Sequence, residues 1–252
     1  MARMAGSSVG VQDLAQYRCL DSLACSGISR ENASSFSFLP AIMRFKKVNV
    51  RESLRSSFKD GIFAAFMVGV TDYYATPAAL FLGATVQQVG LITALSNLLS
   101  SLSQFFSVRV IYWVGGRLKL LVRLVFSQAS FLLCIAVLPL LEIAYRVELL
   151  LILLILAAVC GGLAGPAWGS LMSDYVPAKK RGRYFGWRSR TVGMVTVGSI
   201  VTSGLLLNFF HEISYATGFW IIFSLAAAAR FVSAYFISRM DEPPHKKDPA
   251  SE

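Results

Sequence analysis

The residues of this chain most capable of chemistry lie inside an apolar run: Val70-Thr71-Asp72-Tyr73-Tyr74-Ala75-Thr76-Pro77. A carboxylate at the centre of a membrane helix costs about 2.5–3.5 kcal/mol on insertion scales, so something must compensate Asp72. Two compensations fit. Facing a cavity, Asp72 takes up a proton or a cation beside Tyr73, Tyr74 and Thr76. Facing the protein interior, it pairs with a basic side chain. A second expensive charge is Arg230 in Ala226-Ala227-Ala228-Ala229-Arg230-Phe231. It lies roughly two and a half turns before Arg239, within snorkelling reach of the nearby membrane face, and reads as a structural pair or a snorkel. Its depth differs from that of Asp72, so the two are not assigned to each other. Asn97, Gln104 and Gln128, with Ser96, Ser100, Ser101 and Ser103, line a hydrophilic path or join helices by hydrogen bonds worth below about 1–2 kcal/mol each.

Other chemistries lack their residues. His211 and His245 fall in a loop and a tail, so neither a metal site nor a histidine relay is expected. No Gly-x-x-x-x-Gly-Lys-Ser/Thr loop occurs, and an intramembrane enzyme would need more converging carboxylate, His or Cys groups than one in-span aspartate. No cofactor is expected. Four cysteines (Cys19, Cys25, Cys134 and Cys160) form no ligand-spaced cluster and read as unpaired thiols.

The elements that position these residues are six apolar stretches, approximately Gly61–Leu82, Val86–Val108, Leu118–Leu140, Leu149–Met172, Thr191–Phe210 and Gly218–Ile237. At 1.5 Å per residue, about 20 apolar residues match the roughly 30 Å hydrocarbon slab. A hydrophobic share of 55% with 15% charged residues agrees with a multi-pass membrane protein. The net charge of +10 does not signal nucleic acid, because the basic residues collect in alternate gaps. Arg44 to Lys59 precede the first stretch, Arg109, Arg117, Lys119 and Arg123 surround the second gap, Lys179 to Arg190 fill the fourth, and Arg239, Lys246 and Lys247 follow the sixth. The remaining gaps hold Arg146 alone. Basic loops stay on the cytoplasmic side, so both termini are predicted to be cytoplasmic, in an inner or plasma membrane.

Residues 1–43 are rich in Ser, Ala and Gly and carry no apolar run long enough for a signal peptide. They form a disordered arm, or else Met43 is the true start and residues 1–42 lie upstream of it. Residues 44–240 make the six-helix bundle, and residues 241–252 begin a cytoplasmic linker. Small residues concentrate in the fourth stretch (Gly161, Gly162, Gly165, Gly169) and the fifth (Gly193, Gly198, Ser203, Gly204). These two helices are expected to pack closely, and Pro77 and Pro166 to bend their own. Between them, Asp174-Tyr175-Val176-Pro177 followed by Arg181-Gly182-Arg183 reads as a tight connection with an Arg-Gly-Arg turn, in which Asp174 pairs with Arg181 or Arg183.

This loop, the Gly/Pro-rich span before it, the small-residue span after it and the basic-inside plan resemble the N-terminal half of a major facilitator superfamily (MFS) transporter, over residues 44 to 244. The resemblance implies an all-α membrane protein whose six transmembrane helices form a half bundle of two inverted three-helix repeats. It implies transport of a small-molecule substrate by alternating access within the lipid bilayer, with a proton or cation as a coupling candidate. A second six-helix half, or a homodimer, would complete the cavity. The first and fourth spans line the cavity in that family. The substrate and coupling candidates are then Asp72, Tyr73, Tyr74, Thr76, Asn97 and Gln128. The structural and gating candidates are Gly116, Arg117, Lys119, Asp174, Arg181, Arg183 and Arg230. Gly115-Gly116-Arg117-Leu118-Lys119 keeps the glycine and basic part of the family's loop between spans two and three, but Trp113 stands where its aspartate belongs. The alternative reading is a truncated, non-transporting membrane scaffold.

Overall fold

A computed structural model describes residues 50–243. The N-terminal arm, its basic start at Arg44–Lys47, and Cys19, Cys25, His245, Lys246 and Lys247 lie outside the described residues. Six helices follow one another: α1 (Val50–Phe81), α2 (Val86–Val114), α3 (Arg117–Val137), α4 (Arg146–Tyr175), α5 (Ala178–Phe210) and α6 (Tyr215–Ser238). Helices α2 to α6, α3 together with its 3-10 extension to Leu140, are long and apolar enough to cross a membrane by length and composition. Helix α1, with Asp60, Asp72 and its tyrosines, is not among those five.

The connections are short and chemically specified. Gly83 and Gly115 adopt φ of 91° and 74°, a region that a side chain disfavours. After Gly83, Thr85 and Gln88 form a reciprocal cap that starts α2, with Thr85 N donating to Gln88 Oε1 at 2.9 Å. Arg146 Nε donates to Leu82 O at 3.0 Å, satisfying a carbonyl freed at the end of α1.

Two sequence expectations need correction at the charged helix ends. Pro177 caps α5 directly, so Arg181-Gly182-Arg183 is helix rather than turn. Pro fits the start of a helix, and the basic residues after it are good helix formers, so the helix runs on beyond the apolar stretch. Arg181 spends its guanidinium on the end of α4, donating to Ser173 O at 2.7 Å and Val176 O at 3.1 Å. Arg117 instead takes the Asp174 carboxylate at 2.7 Å. Likewise α1 starts at Val50, which puts Arg51, Arg55 and Lys59 on the helix.

Helix α4 packs mainly on α2 and α3, α1 on α5 and α6, and α3 on α6. The two glycine-rich helices therefore pack closely, but on different neighbours rather than on each other. A Cβ at Gly162 of α4 would lie 2.3 Å from Ser103 Oγ and Ser100 O of α2. A Cβ at Gly69 of α1 would lie 1.8 Å from Ser199 Oγ and 2.7 Å from Thr196 O of α5. In each seat a serine hydroxyl returns to the carbonyl three residues back, at 2.7 Å from Ser103 to Ser100 and from Ser199 to Thr196. The buried serines repeat four residues later, at Ser107 and Ser203. The apolar core lies between α1, α3, α4 and α6, with Val70, Ala79, Leu132, Ile135, Ile222 and Phe223 closed from solvent. The outer faces of α2 and α5 stay open, with Phe105 82% and Phe209 69% exposed. Such faces suit lipid or a further helical layer, not water.

Candidate functional site

A cleft of about 370 Å³ opens among α1, α2, α3 and α4. Helix α1 supplies Thr71, Asp72 and Thr76, since residues four apart share a face. Helix α2 supplies Thr93, Ser96 and Asn97 by the same spacing, and α3 supplies Gln128. Four of the six residues that the sequence singled out as substrate candidates, Asp72, Thr76, Asn97 and Gln128, thus line one space. Tyr73 does not: it points outward and is 58% exposed. Tyr74, two residues past Asp72, turns to the far side of α1, and its hydroxyl donates to Ile200 O of α5 at 2.6 Å. Gly204 makes room for that ring, since a Cβ there would approach the Tyr74 hydroxyl to 2.9 Å.

Polar groups of the cleft differ in how far they are satisfied. Thr71 Oγ1 donates to Met67 O at 2.8 Å, and Thr93 Oγ1 to Val89 O at 3.4 Å, both closed locally on the preceding turn. Ser96 Oγ is buried with no hydrogen-bond partner among the described residues. Asp72 has neither an ion pair nor a hydrogen bond among the described residues. A carboxylate in a polar cleft with no counter-charge is a site that a proton or a cation would neutralise.

Gln128 closes one end of the cleft and opens a second, more strongly charged cluster. Its Nε2 donates to Ala157 O at 3.1 Å, and its Oε1 accepts from Arg230 Nε at 2.9 Å. Arg230 Nη1 donates to Ser233 Oγ at 3.2 Å, and Ser233 Oγ donates to Asp60 Oδ1 at 2.6 Å. Arg188 Nη2 of α5 stands 4.0 Å from Asp60 Oδ2. Arg230 is thus buried, linked to Gln128 on one side and through Ser233 to Asp60 on the other. Asp60 was missed: it precedes the first apolar stretch and follows Lys59, which made it look like loop. The signal was the spacing of Ser53, Ser56, Ser57 and Asp60, small or acidic residues recurring every three to four positions, all buried on one face of α1.

A third cluster holds the chain ends of the bundle together. Arg117 donates to Asp174 and, from Nη1, to Ser170 Oγ at 2.9 Å, while its Nε lies 3.4 Å from Glu242 Oε1. Glu242 also accepts from the backbone N–H groups of Arg117 at 2.9 Å and Leu118 at 3.4 Å, an acidic cap on the N-terminus of α3. Gly116 lies under that cap, and a Cβ there would come within 3.1 Å of Glu242 Oε2. Tyr175 donates its hydroxyl to Asp241 O. Of the gating candidates, Gly116, Arg117 and Asp174 therefore meet here, Arg230 belongs to the second cluster, and Lys119 and Arg183 are exposed. Trp113 is 78% exposed, with Arg109 over its ring at 5.8 Å.

The sequence profile of the Major Facilitator Superfamily matches residues 61–252. The chain belongs to that superfamily. Neither the curated proteins nor the solved structures contain a match to it. Superfamily members are transporters, so this MFS chain is an integral membrane protein of the transporter class, and the described helices are those of its bundle.

Proposed function

We propose that this chain is the N-terminal half of a secondary transporter that moves a small solute by alternating access, with Asp72 as the coupling carboxylate for a proton or cation. The observation that carries the reading is the cleft itself, in which an aspartate without a partner among the described residues shares about 370 Å³ with Thr76, Asn97, Ser96 and Gln128. The inverted 3+3 plan is supported by the two glycine-on-serine seats. Exchanging α1–α3 with α4–α6 carries the Gly69–Ser199 contact of α1 and α5 onto the Gly162–Ser103 contact of α4 and α2. A second six-helix half, or a second copy of this chain, covers the open side of the cleft, because alternating access needs two bundles around one site. The Arg117–Asp174–Glu242 cluster holds the basic-loop end of the bundle during that motion.

Water access tests the cleft without knowledge of the solute. Single cysteines at Thr76 and Asn97 should react with a hydrophilic thiosulfonate reagent, on a background in which Cys19, Cys25, Cys134 and Cys160 are all replaced by serine. One at Tyr74, packed on α5, should react at least tenfold more slowly. In the same preparation a carbodiimide should label Asp72. Equal reaction at the three cysteines would remove the cleft. Proton flux into liposomes, followed with a pH-sensitive dye against a panel of solutes, then separates a transporter from a scaffold.

Orientation follows from the basic loops. Cysteines at Gln87 and Glu142 should be modified by an impermeant reagent from outside intact cells, and cysteines at Lys119 and Lys180 only after permeabilisation. The reverse pattern would invert the topology.

A further inference from the structure

Below Gln128, on the side away from Asp72, a chamber of about 200 Å³ lies among α1, α3, α4, α5 and α6. Its polar walls are Asp60, Arg188, Arg230 and Trp168, and the rest is apolar or glycine. The charges do not balance: two guanidinium groups face one carboxylate. Asp60 is already committed, accepting from Ser233 at 2.6 Å and meeting Arg188 only at 4.0 Å. Two donors in these walls have no acceptor among the described residues. Arg188 Nε and Trp168 Nε1 are both buried and without a hydrogen-bond partner among the described residues, and the Arg188 guanidinium lies 4.3 Å from the centre of the Trp168 ring. Unpaired buried donors and an unmatched buried cation are each costly, and one species relieves both: an anion with oxygen acceptors. The chain also clears space for this arrangement. A Cβ at Gly61 would lie 2.6 Å from Arg188 Nη2, whereas one at Gly165 would meet nothing within 4 Å.

We infer that this chamber is an oxyanion-binding site, in which Arg188, Arg230 and Trp168 hold a carboxylate or phosphate group. The volume suits a small anion: at roughly 30 Å³ per water it has room for on the order of half a dozen waters, or one oxyanion with its nearest waters. The Arg188 guanidinium lines the chamber, and its ring contact with Trp168 fixes its plane, which suits bidentate acceptors. Gln128 lines the Asp72 cleft and accepts from Arg230 of the chamber wall at 2.9 Å, so one hydrogen bond links the two spaces. The site goes beyond the transport reading, because binding at equilibrium requires neither a second bundle nor a gradient.

The test is equilibrium binding by the purified full chain in phosphatidylcholine nanodiscs, with inorganic phosphate and with lactate as probes, at constant ionic strength set by sodium chloride. One or both should raise the melting temperature with saturable dose dependence, since a ligand that binds only the folded state stabilises it. Saturation by phosphate assigns a phosphate group to the site, and saturation by lactate a carboxylate. An effect obtained only when phosphatidylglycerol replaces part of the lipid assigns a lipid headgroup as the source of the oxyanion. Gly165→Leu, which fills the chamber without touching the charges, should abolish the shift at unchanged anion-free melting temperature. Trp168→Phe, which removes one donor, should weaken binding several-fold. No saturable effect of any of the three anions would overturn the site, and so would a shift of wild-type size in both variants.

Discussion

Asp60→Ala is expected to destabilise the six-helix bundle by about 3–5 kcal/mol, the cost of breaking one partner out of a buried ion cluster. Asp60 is 4% exposed and Arg230 8%. With the carboxylate gone, Arg188 and Arg230 remain inside with no counter-charge, and Ser233 loses the acceptor of its 2.6 Å hydrogen bond. Unfolding of the purified chain in mixed micelles, titrated with a denaturing detergent, measures the change. Asp60→Asn keeps an acceptor for Ser233 and removes only the charge, so it should fall between wild type and alanine. The double variant Asp60→Ala/Arg188→Gln should recover part of the loss, because the cation that the first change strands is then absent. Contacting residues typically couple by about 0.5–3 kcal/mol in such a cycle. The oxyanion site adds a distinct expectation: the alanine variant should depend more steeply on added anion than wild type does. A loss within about 0.5 kcal/mol, typical of ordinary surface positions, would show that the cluster carries no structural weight.

The membrane-crossing parts of this chain were legible because they answer to one physical variable, transfer into hydrocarbon, which a run of apolar residues reports directly. Each of the six apolar stretches has its helix in the structure, and five of those helices, all but α1, are long and apolar enough to cross a membrane. The helical ends beyond the hydrocarbon were not legible by that variable. Helices α1 and α5 begin 11 and 13 residues before their apolar stretches at Gly61 and Thr191. Charged residues there read as loop, and with them went Asp60 and Arg188, the two groups that define the second cluster. Within the cleft, the kind of residue was readable but its direction was not. Asp72, Tyr73 and Tyr74 are adjacent in sequence, yet at roughly 100° per residue they face the cleft, the outside and helix α5. Partner choice across the bundle was equally hidden. Asp174 had nearby arginines at Arg181 and Arg183, and the fold delivered Arg117 from 57 residues away. Glycine positions were informative in number but not in partner, since the seats of Gly69 and Gly162 depend on which serine faces them.

Asp72→Asn should leave the bundle folded and abolish solute movement driven by a proton gradient, while exchange of solute across the membrane survives in part. An amide has nearly the shape of the carboxylate but carries no dissociable proton, so only the coupling step is removed. Stability should hardly change, because Asp72 has no ion pair or hydrogen bond among the described residues whose loss would strand a partner. The contrast with Asp60 separates the two aspartates of α1 by role: replacing one leaves buried cations uncompensated, and replacing the other removes only a dissociable proton from a cleft. Proton flux and solute counterflow in liposomes reconstituted with the chain read the two activities separately. Retention of full proton-driven uptake in Asp72→Asn would take Asp72 out of the mechanism. A loss of folded protein comparable to Asp60→Ala would mean that Asp72 pairs with a cation when the bundle is complete, which is the structural alternative for a carboxylate at this depth.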